Sequence, residues 1–144
     1  MLTQADAGFG FYSASKWALE AISESLAAEL DPSWNVKVVI AEMGSYRTNF
    51  ANAFKTFTHP AYDSNPNLVS TQTRNFLSTM PPEFLKGDPS KLAKKIVEVT
   101  SLEAPPLRLL LGAEVPSMAK AKWDKDAAER EKYAKWSEGL VFEE

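Results

Sequence analysis

Tyr12-Ser13-Ala14-Ser15-Lys16-Trp17-Ala18-Leu19-Glu20 opens the first regular element of the chain, and what surrounds it decides the architecture. From about Ser13 to Leu30 the residues are good helix formers, with Ala14, Ala18, Ala21, Ala27, Ala28 and Glu29 among them. Leu19, Ile22, Leu26 and Leu30 recur at helical spacing and predict one apolar stripe. Residues 1–11, with Gly8 and Gly10, read as a loop leading in. Pro32 disfavours helical angles at Asp31, so the helix is expected to end there.

Beyond that helix, Val36 to Ala41 is short and β-branched and predicts a strand, buried on both faces because only Lys37 interrupts it. Gly44 marks a turn. Residues 45–87 mix aromatics (Phe50, Phe54, Phe57, Phe76, Phe84) with polar residues and prolines, and predict a long, partly helical excursion of the kind that forms lids. Asp88 is a plausible N-cap with Pro89 at the first helical position. The helix it starts would run to about Ser101 and bury Leu92, Ile96 and Val99. Pro105 and Pro106 break it, Leu107 to Leu111 reads as a second strand closed by Gly112, and Pro116 to Trp136 predicts a charged helix carrying Trp123, Tyr133 and Trp136. Strands alternating with helices make an α/β fold with a parallel sheet. Two parallel strands do not form a stable sheet alone, so the pattern reads as part of a larger domain.

Composition narrows the function. The chain has 144 residues, a net charge of −3 and no cysteine. An acidic balance argues against nucleic acid, and the absence of thiols removes disulfides and thiolate metal sites. The purely aliphatic runs are far too short to span a membrane. No basic segment followed by an apolar one stands at the N-terminus, so no signal peptide is expected and a cytoplasmic location is. His59, the single histidine, sits beside Pro60 in a polar stretch and reads as a loop residue, with no metal site anticipated. The mixed charges of Lys120 to Lys135 read as a solvated helix face.

The chemistry lies in the opening stretch. Tyr12 and Lys16 are four apart, hence one turn apart on one helix face. An ammonium beside a phenol favours the phenolate, and such a phenol can pass a proton in carbonyl reduction or alcohol oxidation. By composition, roughly one such chain in three would carry Tyr-x-x-x-Lys by chance, so the context must decide. Tyr12 to Glu20, at a helix start after a glycine-bearing loop, closely resembles the active-site helix of the short-chain dehydrogenase/reductase family. Ala41-Glu42-Met43-Gly44-Ser45-Tyr46-Arg47-Thr48-Asn49-Phe50 resembles the family's Pro-Gly-x-x-x-Thr segment, with Met43 where proline is usual. Pro106-Leu107-Arg108-Leu109-Leu110-Leu111-Gly112 resembles its last sheet strand.

The resemblance implies the C-terminal half of a doubly wound, Rossmann-type domain over residues 1–144, and an NAD(P)(H)-dependent oxidoreductase of carbonyl or alcohol substrates as the intact protein. It gives Tyr12 and Lys16 catalytic roles, with Lys16 also holding the ribose hydroxyls. Tyr12, Lys16, Gly44, Tyr46 and Thr48 would contact the cofactor, and residues 49–87 would form the lid; Phe50, Phe54 and Phe57 read equally as lining for an apolar substrate pocket or as core packing. The family's glycine-rich pyrophosphate turn and its catalytic serine, about thirteen residues before the tyrosine, find no counterpart. The cofactor-binding N-terminal half is therefore expected to be missing, and this chain alone to be inactive with weak or no affinity for NAD(P)(H). A homo-oligomer packed through the Tyr12–Lys16 helix is also implied. Two other readings stand beside this one, a non-catalytic fragment serving as an interaction module and an incomplete gene model.

Overall fold

The computed structural model describes residues 5–50 and 58–142; Phe54 and Phe57 lie outside them. Helix α1 spans Gly10–Glu29. It ends where the proline demands: Asp31 is extended, and its carboxylate accepts from Ser33 N at 2.7 Å as the next turn begins. Strand β1 follows at Ile40–Met43. The excursion carries the short helix α2 (Pro60–Asp63) and helix α3 (Val69–Thr79). Helix α4 (Pro89–Thr100) starts at the expected cap, where Asp88 Oδ1 accepts from Ser90 N at 2.8 Å and Lys91 N at 3.3 Å. Strand β2 is Arg108–Leu111, and helix α5 runs Val115–Tyr133 before a last 3-10 turn. Among the described residues no helix is long and apolar enough to cross a membrane.

The two strands pair in parallel, Ile40 opposite Arg108 and Met43 opposite Leu111, so the chain is α/β as its pattern implied. Two expectations fail in instructive ways. The first strand starts at Ile40, four residues late. Pairing begins with Ile40 N donating to Leu107 O at 2.7 Å, and the partner chain before that point holds Pro105 and Pro106, which have no N–H to donate. Nor is β1 buried on both faces. Ala41 and Met43 are exposed and the buried residue is Glu42; on the other face, Ile96 and Val99 of α4 stand across a cavity from Ala41, Leu109 and Leu111 and do not close on them.

Helix α1 is also turned relative to its hydrophobic pattern. Its inward positions are Ser13, Lys16, Glu20, Ser23 and Ala27, all buried or half-buried, whereas Leu19, Ile22 and Leu26 face outward, with Ile22 66% exposed. The inward face is ionic. Arg108 of β2 reaches Glu24 at 3.1 Å, Glu42 at 3.5 Å and Glu20 at 3.8 Å, tying both strands to α1. Residues Arg108 and Glu42 alternate onto the same sheet face as Leu110, the face α1 covers. The buried hydrophobic residues among those described are Val115 and Ala119, on the first turns of α5.

This ionic arrangement has a pH signature. Burial, and then the neighbouring Glu42 carboxylate, push the Glu20 carboxyl above its ordinary range, and Arg108 only partly opposes them. A carboxyl raised on folding contributes stability below its unfolded value and loses it as pH rises through the folded one. Glu20→Gln should therefore melt higher than wild type at pH 7, with the difference closing as the pH is brought to about 4. A thermal melt series across that range checks this; a variant equally less stable at every pH would show that the contact with Arg108 outweighs the burial cost.

Candidate functional site

The site is assembled from two segments far apart in sequence. On α1, Tyr12 and Lys16 stand one turn apart, with Lys16 Nζ 5.8 Å from the centre of the Tyr12 ring. The Tyr12 ring meets Phe9 edge-on at 6.0 Å and Phe50 at 5.9 Å, and 37% of the residue is left exposed. Ser15 Oγ turns back to donate to Tyr12 O at 2.7 Å, keeping that side chain on its own helix. Lys16 is half-buried, and among the described residues no carboxylate forms a salt bridge with it.

The second segment, residues 44–50, leaves the C-terminal end of β1, the end of a parallel sheet outside which ligands bind in open α/β folds. Phe50 brings it against Tyr12. The loop is held from two sides. Gly44 N donates to Leu111 O at 2.7 Å, continuing the ladder past the strand ends. Ser45 N donates to Glu114 Oε1 at 2.8 Å. On the other side, Gly87 N donates to Ser45 O at 3.1 Å and Arg47 N to Gly87 O at 2.9 Å, forming a parallel bridge between Tyr46 and Gly87. Arg47 Nε donates to Pro82 O at 3.1 Å and Leu85 O at 3.3 Å. Thr48 Oγ1 accepts from Phe50 N at 3.4 Å, and among the described residues its own hydroxyl proton has no acceptor.

Glycine is required here by close approach. A side chain on Gly44 would run into Glu114 Oε1 and Val115 Cγ2. Gly112 sits at φ +139, and a Cβ there would meet Val115 Cγ2 at 2.8 Å and Gly44 Cα at 3.2 Å. The two strand ends thus close on each other under the first turn of α5. Gly44, read from the sequence as a turn and a cofactor contact, gives that room to Glu114 and Val115. The electrostatics agree with the contacts. The Ser45 N–H, first, and then its own backbone N–H hold the Glu114 carboxyl below the ordinary carboxylate range, while burial, and then Glu114, push the Tyr46 phenol up.

Tyr12, Lys16, Gly44, Tyr46 and Thr48 therefore occupy two segments joined at Phe50. Reading the sequence missed Glu114, Arg47 and Gly87, which hold the loop, and the Glu42–Arg108 pair beneath it. His59 acts as the N-cap of α2, its Nδ1 accepting from Ala61 N at 3.2 Å. A cavity of about 430 Å³ lies beside the helix start, lined by Phe9, Phe11, His59, Tyr62, Arg74 and Leu77. Two of its polar side chains meet at one carboxylate: Asp63 pairs with Arg74 at 2.7 Å and accepts from Thr58 at 2.5 Å. Among the described residues no group of three His, Asp or Glu side chains is placed to hold a metal.

No family model matches the chain. Individual relatives do. It is 36% identical over 118 residues to the oxidoreductase calM of Penicillium decumbens, covering 80% of this chain and 38% of that one. It is 32% identical over 103 residues to an oxidoreductase of Schizosaccharomyces pombe (70% and 33%), and 31% identical over 114 residues to a 3-ketodihydrosphingosine reductase of Bacteroides thetaiotaomicron (78% and 41%). The solved structure of a short-chain dehydrogenase from Streptomyces avermitilis superposes with a TM-score of 0.71 at 34% identity, over 96% of this chain and 48% of that one. The chain belongs to the short-chain dehydrogenase/reductase family. It has the α/β architecture of one half of the family's Rossmann-type domain, and spans between a third and a half of the length of these relatives.

Proposed function

We propose that the protein containing this chain is an NAD(P)(H)-dependent oxidoreductase that interconverts a carbonyl and an alcohol on a small molecule. The observation that carries this reading is the Tyr12–Lys16 pair on α1, with the Tyr12 ring against Phe50 of the loop at the strand ends. The residues present fit the nicotinamide end of such a cofactor. Lys16 offers an ammonium that no carboxylate among the described residues engages, and the 44–48 loop is already held in place at the C-terminal edge of the sheet. When bound, the nicotinamide supplies or accepts the hydride.

Tyr12 gives its phenolic proton to the substrate oxygen in reduction and takes it back in oxidation. Lys16 stabilises the phenolate left behind and holds the ribose hydroxyls. Gly44, Tyr46 and Thr48 contact the nicotinamide, and residues 49–87 cover the substrate. Hydride to carbon and proton to oxygen convert the carbonyl to the alcohol with nothing left over. The outward stripe of Leu19, Ile22 and Leu26 supports a homo-oligomer packed through α1, and the cytoplasm is the location this reading carries.

Binding of NADH and NADPH to the full-length protein, followed by nicotinamide fluorescence, tests the proposal. Micromolar affinity is expected of the full-length protein, and much weaker affinity of residues 1–144 alone. A full-length protein that binds neither cofactor would sink it and leave an interaction module as the better reading of the exposed stripe.

A further inference from the structure

Glu114 lies nearly seventy residues from the loop it touches and has no part in the chemistry proposed above. It precedes the first turn of α5, yet its side chain does not cap its own helix. It reaches across the end of the sheet to accept the Ser45 N–H. The space it uses exists because Gly44 has no side chain. Val115, the next residue and fully buried, packs where side chains on Gly44 and Gly112 would otherwise lie. The Glu114 backbone is thus anchored beside a fully buried residue, while its carboxylate is aimed at a single donor of the loop.

That donor matters for where the loop goes. Gly44 is tied to β2 by its own N–H, Ser45 O accepts from Gly87 N at 3.1 Å, and from Arg47 onward the chain is tied to Gly87, Pro82 and Leu85. Between these anchors, the Ser45 N–H is fixed by Glu114 alone among the described residues. We infer that Glu114 is a positioning residue for the nicotinamide-binding loop, presetting the backbone of Gly44 to Thr48 so that binding the cofactor need not order it. This rests on the oxidoreductase reading above. A loop held in its bound shape saves the ordering cost at binding, so the clamp acts on cofactor affinity and leaves proton transfer by Tyr12 untouched.

The test uses the full-length enzyme, with NADH and NADPH as probes, and compares Glu114→Ala with Glu114→Gln. The alanine variant should weaken cofactor binding about tenfold, the effect of losing one hydrogen bond to a charged acceptor, while kcat at saturating cofactor stays within about twofold. Amide hydrogen exchange at Ser45, measured without cofactor, should accelerate about tenfold in the same variant. Glutamine keeps an acceptor oxygen at the same reach and should restore both readouts to within about threefold of wild type. If truncation to alanine loosens the start of α5, Glu114→Leu, of similar bulk and without an acceptor, gives the same comparison. Unchanged cofactor affinity in the alanine and leucine variants, or a glutamine variant as impaired as they are, overturns the inference. A wild-type enzyme that binds neither cofactor overturns it too. The exchange measurement then separates the causes: faster exchange at Ser45 leaves the clamp standing and removes the function, and unaltered exchange removes the clamp itself.

Discussion

On the function proposed, Tyr12→Phe in the full-length protein is expected to lower kcat by about a thousandfold and to leave cofactor affinity within about twofold, because a positioned general acid is removed and nothing else changes. The substitution deletes one hydroxyl. The ring keeps its edge contacts with Phe9 and Phe50, and Lys16 keeps its place one turn along α1. Lys16→Met should differ in kind. On the same proposal it would take away both the charge beside the phenol and the donor to the ribose, so kcat should fall and the cofactor KM rise together. Steady-state kinetics with both variants separates the two roles. Near-normal turnover by Tyr12→Phe would move the proton donor elsewhere.

The largest stability effect is expected at Arg108. Its guanidinium is the cation within reach of Glu20, Glu24 and Glu42, and the Glu42 side chain is only 5% exposed. Arg108→Ala strands a buried carboxylate beside two others. Breaking a fully buried pair costs about 3–5 kcal/mol; because Arg108 is itself about a third exposed, a loss of about 2–3 kcal/mol is expected. In the variant, the burial and the Glu42 charge that already raise the Glu20 carboxyl lose the opposing guanidinium. The penalty is therefore greatest at neutral pH and shrinks as pH falls through the carboxylate range. Adding Glu42→Gln should recover more than half of it. Denaturant unfolding at pH 7 and pH 4 reads both effects. A variant as stable as wild type at pH 7 would mean that water reaches the cluster and screens it.

Much of this was legible in the sequence where local chemistry governs. The cap at Asp88 with Pro89, the helix end before Pro32 and the alternation of helix and strand all follow from backbone rules, and the structure follows them. The Tyr12–Lys16 pair was legible because helical spacing alone brings four-apart residues together. What could not be read depends on partners distant in sequence. Periodicity marks Leu19, Ile22 and Leu26 as one face but cannot say which way that face turns. Arg108, eighty-four residues after Glu24, turns it outward by drawing the polar face in. The late start of β1 is set by two prolines beside the other strand. Glu114 carries no local signal, since a glutamate before a helix reads as ordinary capping chemistry. Its role shows only when Gly44 is seen beneath it.

The outward stripe of α1 also bears on heat capacity. Unfolding raises the heat capacity in proportion to the apolar surface newly wetted, about 12–15 cal/mol/K per residue in ordinary domains. Residues 1–144 already leave Leu19, Ile22, Leu26, Val36, Trp123 and Trp136 in water when folded, with Val115 and Ala119 as the buried hydrophobics among the described residues. Their unfolding should give a per-residue increment well under that range, and so a nearly straight dependence of stability on temperature. Whatever covers the stripe in the full-length protein or in an assembly will announce itself calorimetrically, by restoring the curvature that this segment lacks alone.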